Sequence, residues 1–597
     1  MSFTFDRTTR LRLRRLFRRR QRQMESAAQE AEAQFENNLI ARFDRLLQVK
    51  RFAFGWTLLV ILLIFCTVAQ TMALSSFYQT TQPVAGGVYN EGIIGSYSNA
   101  NPIYATGAVD SAVSRLLFAG LLKYDNHNTL TGDLASSFNV DASGRQYTVT
   151  LKSGLKWHDG KPLTAKDVVF TYHTIQNPDA TSPLLSAWQG IQISATNATT
   201  VRFDLPGTLS SFPHSLTTGI IPEHILGKVP ADQLRSSNFN TLHPVGAGAY
   251  EWRMIETSNT ANPDKATTFI ALKPFKGYVG GEPALSSFIV RAYPTKERLI
   301  AAFRDREVNA MAGLNEVPEE LKDDTSVTVH NFPSSAALMT FFKTSEGVLS
   351  EVAVRQALVK GADTKAILQG LSYQARPVNE ALLIGQLGYD SKYQQAGYDP
   401  AAAAAQLQAA GWVAGKDGIR SKNGQELAFR LYAQDTPENK YVTDKLVANW
   451  RSIGVQVAPF LQQNTDFQTT LKLHNYGALL HGISIGSDPD VYAYWDSAQA
   501  DVRSATRLNF SEYKSSAADA ALESGRTRTD PALRVIKYRP FLQAWQTDAP
   551  ALGLYQPRFL YITRGPVYDL EQHTLNSETD RYNSVAEWKI HTAKVTN

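Results

Sequence analysis

Residues Phe52 to Leu74 carry no charged side chain, and this run constrains the chain more than any other feature. As a helix rising about 1.5 Å per residue it reaches roughly 34 Å, enough to cross a hydrocarbon core of about 30 Å. Lys50, Arg51 and nine arginines between Arg7 and Arg22 stand on one side of it, whereas the other side has no charge before Glu91. That asymmetry predicts a single transmembrane helix at 52–74 with residues 1–51 cytoplasmic and the rest outside, extracellular or periplasmic. Thr71-Met72-Ala73 also reads as a passable cleavage site, but a fifty-residue head is long for a signal peptide's basic region, so the expectation is an uncleaved anchor. Cys66 is the one cysteine, which rules out an intramolecular disulfide, and the bulky Phe65 before it argues against lipidation.

Met1 to Arg51 holds thirteen Lys/Arg against six Asp/Glu, a net of +7. The whole chain is only +5, so the remainder is slightly negative and a nucleic-acid role for the protein as a whole loses its support. Within the head, Phe35, Leu39, Phe43 and Leu46 recur at helical spacing, predicting an amphipathic helix over Met24 to Lys50. Such a basic head suits anionic lipid headgroups, with a cytoplasmic protein partner as the alternative. Residues 75–85 read as a linker, and about 515 residues remain to build the core.

The outer part announces itself at Ser153 to Tyr172. Gln146 to Leu151 alternates Tyr147, Val149 and Leu151 with polar neighbours, predicting a half-buried strand, and His158-Asp159-Gly160 is turn chemistry. Thr164 and Asp167 then form a short capping box for a helix whose face carries Val168, Val169 and Tyr172. His158 beside Asp159 lacks the third ligand of a metal site and the oriented partner of a nucleophile, so a structural corner is the better reading. Elsewhere Asp399 caps, Pro400 starts and Gly411 stops an alanine-rich helix.

These strings resemble the extracytoplasmic solute-binding proteins of family 5, the oligopeptide- and dipeptide-binding components of ABC importers. Gly86-Gly87-Val88-Tyr89, Ala112 to Asp125, Gly132 to Phe138, Pro244 to Tyr250, Glu351 to Leu368 and Asp548-Ala549-Pro550 are similar to the family's motifs, in order, across about residues 84–590. Pro244 to Tyr250 is glycine-rich, but no Lys-Ser/Thr follows and a strand stands where a phosphate loop needs a helix, so its glycines suggest a tight crossing between domains.

The resemblance implies an α/β, two-lobe periplasmic-binding-protein-like fold of type II with an extra subdomain. It places the first lobe at 86–330 plus 556–597, including a small subdomain at about 128–240, and the second at 331–555. It further implies capture of a peptide or similar extended solute by hinge closure, delivery to separate permease and ATPase subunits, no enzymatic activity, no cofactor and no metal. Matching to the family puts Tyr97, Asn99, Trp188, Ser484, Ile485, Ser487, Asp488, Asp490, Tyr494, Trp495 and Tyr555 at the ligand. In the family's peptide binders a carboxylate takes the ligand's amine; here that position is Ile485, so either Asp488 or Asp490 substitutes or the ligand has no free amine. The alternative for both carboxylates is an Asx turn.

Two other functions fit the plan of basic head, span and outer domain. A penicillin-binding enzyme would need Ser153-x-x-Lys156, Ser236-Ser237-Asn238 and Lys343-Thr344-Ser345 as its motifs, but Ser153 leaves a strand rather than opening a helix. A receptor signalling through the span without an importer has the same sequence signature.

Overall fold

The computed structural model describes residues 7–35, 50–77, 79–258, 266–504 and 507–596. Two compact units emerge: residues 1–82 with 592–597, and residues 83–591. In the first, helix α1 spans Arg7–Phe35 and helix α2 spans Lys50–Phe77. The stretch Phe52–Met72 of α2 has a mean hydropathy of 2.5 with its side chains unburied, and is long and apolar enough to cross a membrane. The amphipathic segment expected from Met24 to Lys50 lies mostly at 36–49, outside the described residues; Met24 itself belongs to α1.

Residues 83–591 contain two large sheets, a four-stranded sheet and two smaller ones of three and two strands. The seven-stranded sheet is ordered Val327–Pro333, Arg558–Arg564, Ala310–Ala312, Val88–Ile94, Ser287–Tyr293, Thr267–Pro274, Tyr250–Ser258. The six-stranded sheet is ordered Arg376–Pro377, Ala551–Gln556, Ala336–Phe342, Ala478–Ser484, Ala428–Gln434, Gln456–Gln462. Strand Ala336–Phe342 shows why the second is a central layer: Leu338 and Phe342 enter one apolar cluster and Ala337, Met339 and Phe341 another, so both faces of the period-two strand are buried.

The four-stranded sheet, Ala135–Val140, Gln146–Leu151, Thr200–Asp204 and Gln192–Ala195, carries the capped helix Ala165–Gln176. The Thr164 N–H donates to Asp167 Oδ2 at 2.8 Å, and Asp167 Oδ1 accepts from the Glu223 N–H at 3.0 Å, so one carboxylate closes the helix start and ties a second segment to it. His158 is a clamp. Its Nδ1 accepts from the Gly246 N–H at 3.1 Å and its Nε2–H donates to the Gly248 carbonyl at 3.2 Å, which fixes the tautomer, and burial lowers its pKa to about 4, keeping it neutral. The glycines there serve close approach: a Cβ on Gly246 would sit 1.9 Å from the Leu117 carbonyl oxygen. Ser153 to Lys156 forms a turn and a bridge, not a helix, which removes the arrangement a Ser-x-x-Lys nucleophile needs.

Candidate functional site

The chain passes between the two large sheets at Ser334–Ser335 and again at Pro557. The crossings are bonded to each other: the Ser334 N–H donates to the Pro557 carbonyl at 3.0 Å, and Gln556 Nε2 donates to the Ser334 carbonyl at 3.2 Å. Ser335 is the pivot of the adjoining loop, because its carbonyl accepts from the N–H groups of both Ile485 and Gly486, each at 2.9 Å. Asn128, on the turn of the hairpin Leu122–Tyr124 and Leu130–Gly132, reaches the same residue with Nδ2 donating to Ser335 Oγ at 3.3 Å.

Beside these crossings lies a cavity of about 830 Å³, lined by Asn126, His127 and Asn128, by Asn331 and Pro333, by Gln374 to Pro377 and by Gln572 to Thr574. Four separate segments close it, rich in amides that both donate and accept, with Arg376 as a fixed cation. Such a lining suits the amide groups of a peptide or a polyhydroxyl solute. No expected ligand residue lines it. Its residues lie from 126 to 574, so no local window of sequence could have assembled them.

Three of the expected residues, Ser487, Asp488 and Asp490, gather instead along a polar seam, with Ser484 and Tyr494 bonded to each other. Ser487 Oγ lies 3.3 Å from His214 Nδ1, which Tyr124 Oη also meets at 2.7 Å. Asp488 takes two bonds from Arg534, at 2.7 and 2.8 Å, and its Oδ2 lies 3.6 Å from His214 Nε2. Burial alone would raise the Asp488 pKa, but the Arg534 bonds and His214 outweigh it and hold the carboxyl well below its ordinary range. Asp490 Oδ2 accepts from Ser211 Oγ at 3.0 Å and pairs with Arg526 at 3.1 Å. Ser210 adds two bonds to the Arg526 carbonyl, at 2.9 and 3.0 Å. Tyr494 Oη donates to the Ser484 carbonyl at 2.7 Å, tying Ser484 and Tyr494 together.

The Asp-Pro-Asp turn and the other expected residues are held by partners within the protein. Both carboxylates of the Asp488-Pro489-Asp490 turn hold arginines, and the Asp490 N–H bonds Asp488 Oδ1 at 2.9 Å as an Asx turn. Ile485 is 8% exposed and belongs to the second lobe's apolar core. Trp188 stacks on Tyr172 at 3.9 Å between ring centroids, and Trp495 meets Trp545 edge-on at 5.9 Å; both are sealed in cores. Tyr555 is likewise buried, its Oη bonded to Glu438 at 2.8 Å. Asn99 is buried with its side chain accepting from the Asn101 N–H at 2.8 Å, and Tyr97 is bonded to the Asn240 carbonyl at 3.0 Å, neither in contact with the seam residues above.

Two sheet-centred lobes joined by a pair of bonded crossing strands, with polar groups facing one another across the junction, define a two-lobe ligand-binding protein. Residues 129–505 match the profile of the bacterial extracellular solute-binding proteins, family 5 Middle, and the chain belongs to that family. It is 25% identical over 517 residues to the oligopeptide-binding protein AppA of Bacillus subtilis, covering 84% of this chain and 92% of that protein. The structure of AppA from Bacillus subtilis with a nonapeptide superposes with a TM-score of 0.67 at 22% identity, over 85% of this chain and 100% of that one. NikZ from Campylobacter jejuni with Ni(L-His) gives 0.70 at 23% identity, over 84% and 99%.

Proposed function

We propose that this protein is a membrane-anchored, extracytoplasmic binding protein that captures a peptide or similar extended solute by hinge closure and delivers it to an ABC importer's permease and ATPase subunits. In this reading α2 crosses the membrane once as an uncleaved anchor, the arginine-rich head lies in the cytoplasm and residues beyond the linker work outside. The lobes that close meet at the crossings, residues 86–333 with 558–591 and residues 336–556, a few residues from the 86–330 plus 556–597 and 331–555 that the resemblance implies, with the small subdomain at about 128–240 moving with the first. The protein acts by binding alone and carries out no hydrolysis.

The observation that carries the proposal is the pairing of Ser334 with Pro557 at the two crossings, with an amide-lined cavity beside them and the Ser211–Asp490 contact across the seam. Crossing strands bonded to one another bend together, so closure concentrates in a few residues while both sheets stay rigid. AppA, an oligopeptide-binding protein, supports a peptide as the ligand. The Ni(L-His) held by NikZ is a far smaller solute on a similar fold, so the ligand needs a direct test.

That test is native mass spectrometry of residues 83–591, followed by denaturation and sequencing of the small molecules released. A ladder of short peptides establishes peptide capture. A chelate or sugar replaces the peptide while keeping the transport reading. A cleft that stays empty, and a protein that gains no thermal stability from peptide or sugar mixtures, sinks the importer reading in favour of a receptor.

A further inference from the structure

Helix α1 is two-faced. At about 100° per residue, Leu16, Phe17, Ala27, Ala28 and Ala31 fall within about 80° of Met24, while Arg12, Arg15, Arg18, Arg19 and Arg22 fall within about 60° of the opposite side. Leu11 sits among the arginines, and Arg20 lies within the apolar stripe, about 40° from Met24, where a long side chain can bury its stem and keep its head in water. The stripe is unpartnered: Phe17 is 75% exposed, Met24 74% and Leu16 61%.

The arginines are unpartnered too. Among the described residues none of Arg12, Arg15, Arg18, Arg19, Arg20 or Arg22 has a carboxylate, and Glu25, Glu30 and Glu32 all lie beyond them toward the C-terminus. Arg15 with Arg19 and Arg18 with Arg22 stand one turn apart, so like charges oppose the helix in water. The helix needs an external negative surface that also accepts apolar side chains. Nucleic acid supplies the first without the second, whereas an anionic bilayer supplies both, and α1 ends fourteen residues before the helix that carries the apolar span.

We infer that α1 lies in the plane of the membrane as an interfacial helix, with Phe17 and Met24 in the acyl boundary and the Arg15–Arg18–Arg22 face gathering acidic phospholipid headgroups. The inference rests on the reading of α2 as a membrane span. It gives the head a lipid-selective grip, distinct from the anchor's hydrophobic hold, that places the protein where acidic lipid is enriched.

The full chain provides its own test, because Cys66 is the sole cysteine and Cys66→Ser clears the background for single probes. A polarity-sensitive fluorophore is placed at Met24→Cys, Ser26→Cys or Leu62→Cys, and each protein is reconstituted into vesicles of phosphatidylcholine alone or with about one-third phosphatidylserine. Ser26 lies on the arginine side, two residues from Met24 but across the helix. With acidic lipid, a lipid-borne quencher should dim the Met24 probe at least about threefold more than the Ser26 probe. That difference should vanish without phosphatidylserine and fall in about 1 M salt, where the Debye length is about 3 Å. Met24 and Ser26 equally open to water while Leu62 stays quenched in the bilayer overturns the interfacial helix and leaves the anchor standing. An aqueous Leu62 overturns the anchor beneath it. Shielding of Met24 by added RNA but not by acidic vesicles overturns the lipid assignment.

Discussion

Asp488 accepts from both terminal nitrogens of Arg534, at 2.7 and 2.8 Å, between side chains only 12% and 7% exposed. The pair sits at the root of the seam that joins the lobes, since the same carboxylate also faces His214. Asp488→Asn should therefore cost about 3–5 kcal/mol, because it strands a buried guanidinium, whereas Asp488→Asn combined with Arg534→Met should recover most of that loss. Urea unfolding of residues 83–591 checks both, and a double variant as unstable as the single one would show that the pair matters for more than its charges. The sign with pH follows from Asp488 lying below its ordinary value of 3.8: the stability it contributes is fully present above that value and drains away as the pH falls below it.

Ser211 and Asp490 meet at 3.0 Å across the seam, one on the first core and the other after the second sheet's strand Ala478–Ser484. A hydrogen bond to a charged acceptor contributes about 1.5–3 kcal/mol, and here it acts only when the lobes are together. Ser211→Ala should leave the stability of each lobe within about 1 kcal/mol while speeding ligand release roughly tenfold or more, with association little changed. Stopped-flow measurements with the ligand that co-purifies with the protein separate the two rates, and an effect confined to association would place the contact outside closure.

Much of the local structure was legible in the sequence because it is set locally. The strand Gln146–Leu151, the Thr164–Asp167 helix start and the Asp399 cap, whose Oδ1 takes the Ala402 N–H at 2.9 Å, depend on residues within a turn of each other. The family's order of motifs gave the two-lobe plan for the same reason. The site was less legible. His158 looked like a corner residue, yet its function is to hold Gly246 and Gly248, some ninety residues on. Matching to the family puts Trp188, Trp495 and Tyr555 at the ligand, but large amphipathic rings suit a cleft and a core alike, and the sequence carries no sign that all three are buried.

Trp188 separates core from cleft experimentally. It lies among Tyr172, Phe203 and Phe212, with ring centroids at 3.9, 6.2 and 5.7 Å. Trp188→Ala should destabilise the small subdomain by about 3–5 kcal/mol through the cavity it leaves, while the folded fraction binds ligand with unchanged affinity. Chemical denaturation and equilibrium binding on the same preparation check this, and a loss of affinity without a loss of stability would return Trp188 to the ligand.

Glu380 gives the protein a pH dependence opposite in sign to that of Asp488. It is fully buried, Oε1 receives only the Asp390 N–H at 3.3 Å and Oε2 has no partner. Desolvation raises its pKa to about 8 from an ordinary 4.5, the Asp390 N–H lowering it and the Asp390 carboxylate raising it further. The acid is thus folded in its neutral form, and the stability this gives is complete below about 4.5 and lost as the pH rises through about 8. Wild type should unfold more easily at about pH 9 than at about pH 5, with Glu380 contributing about 2–4 kcal/mol of the difference. Glu380→Gln keeps the shape and removes the ionisation, so it should match wild type near pH 5 and exceed it near pH 9. Urea midpoints at the two pH values decide the matter: parallel losses in wild type and variant would mean that Glu380 is charged in the folded protein and stabilised by a partner its surroundings do not supply.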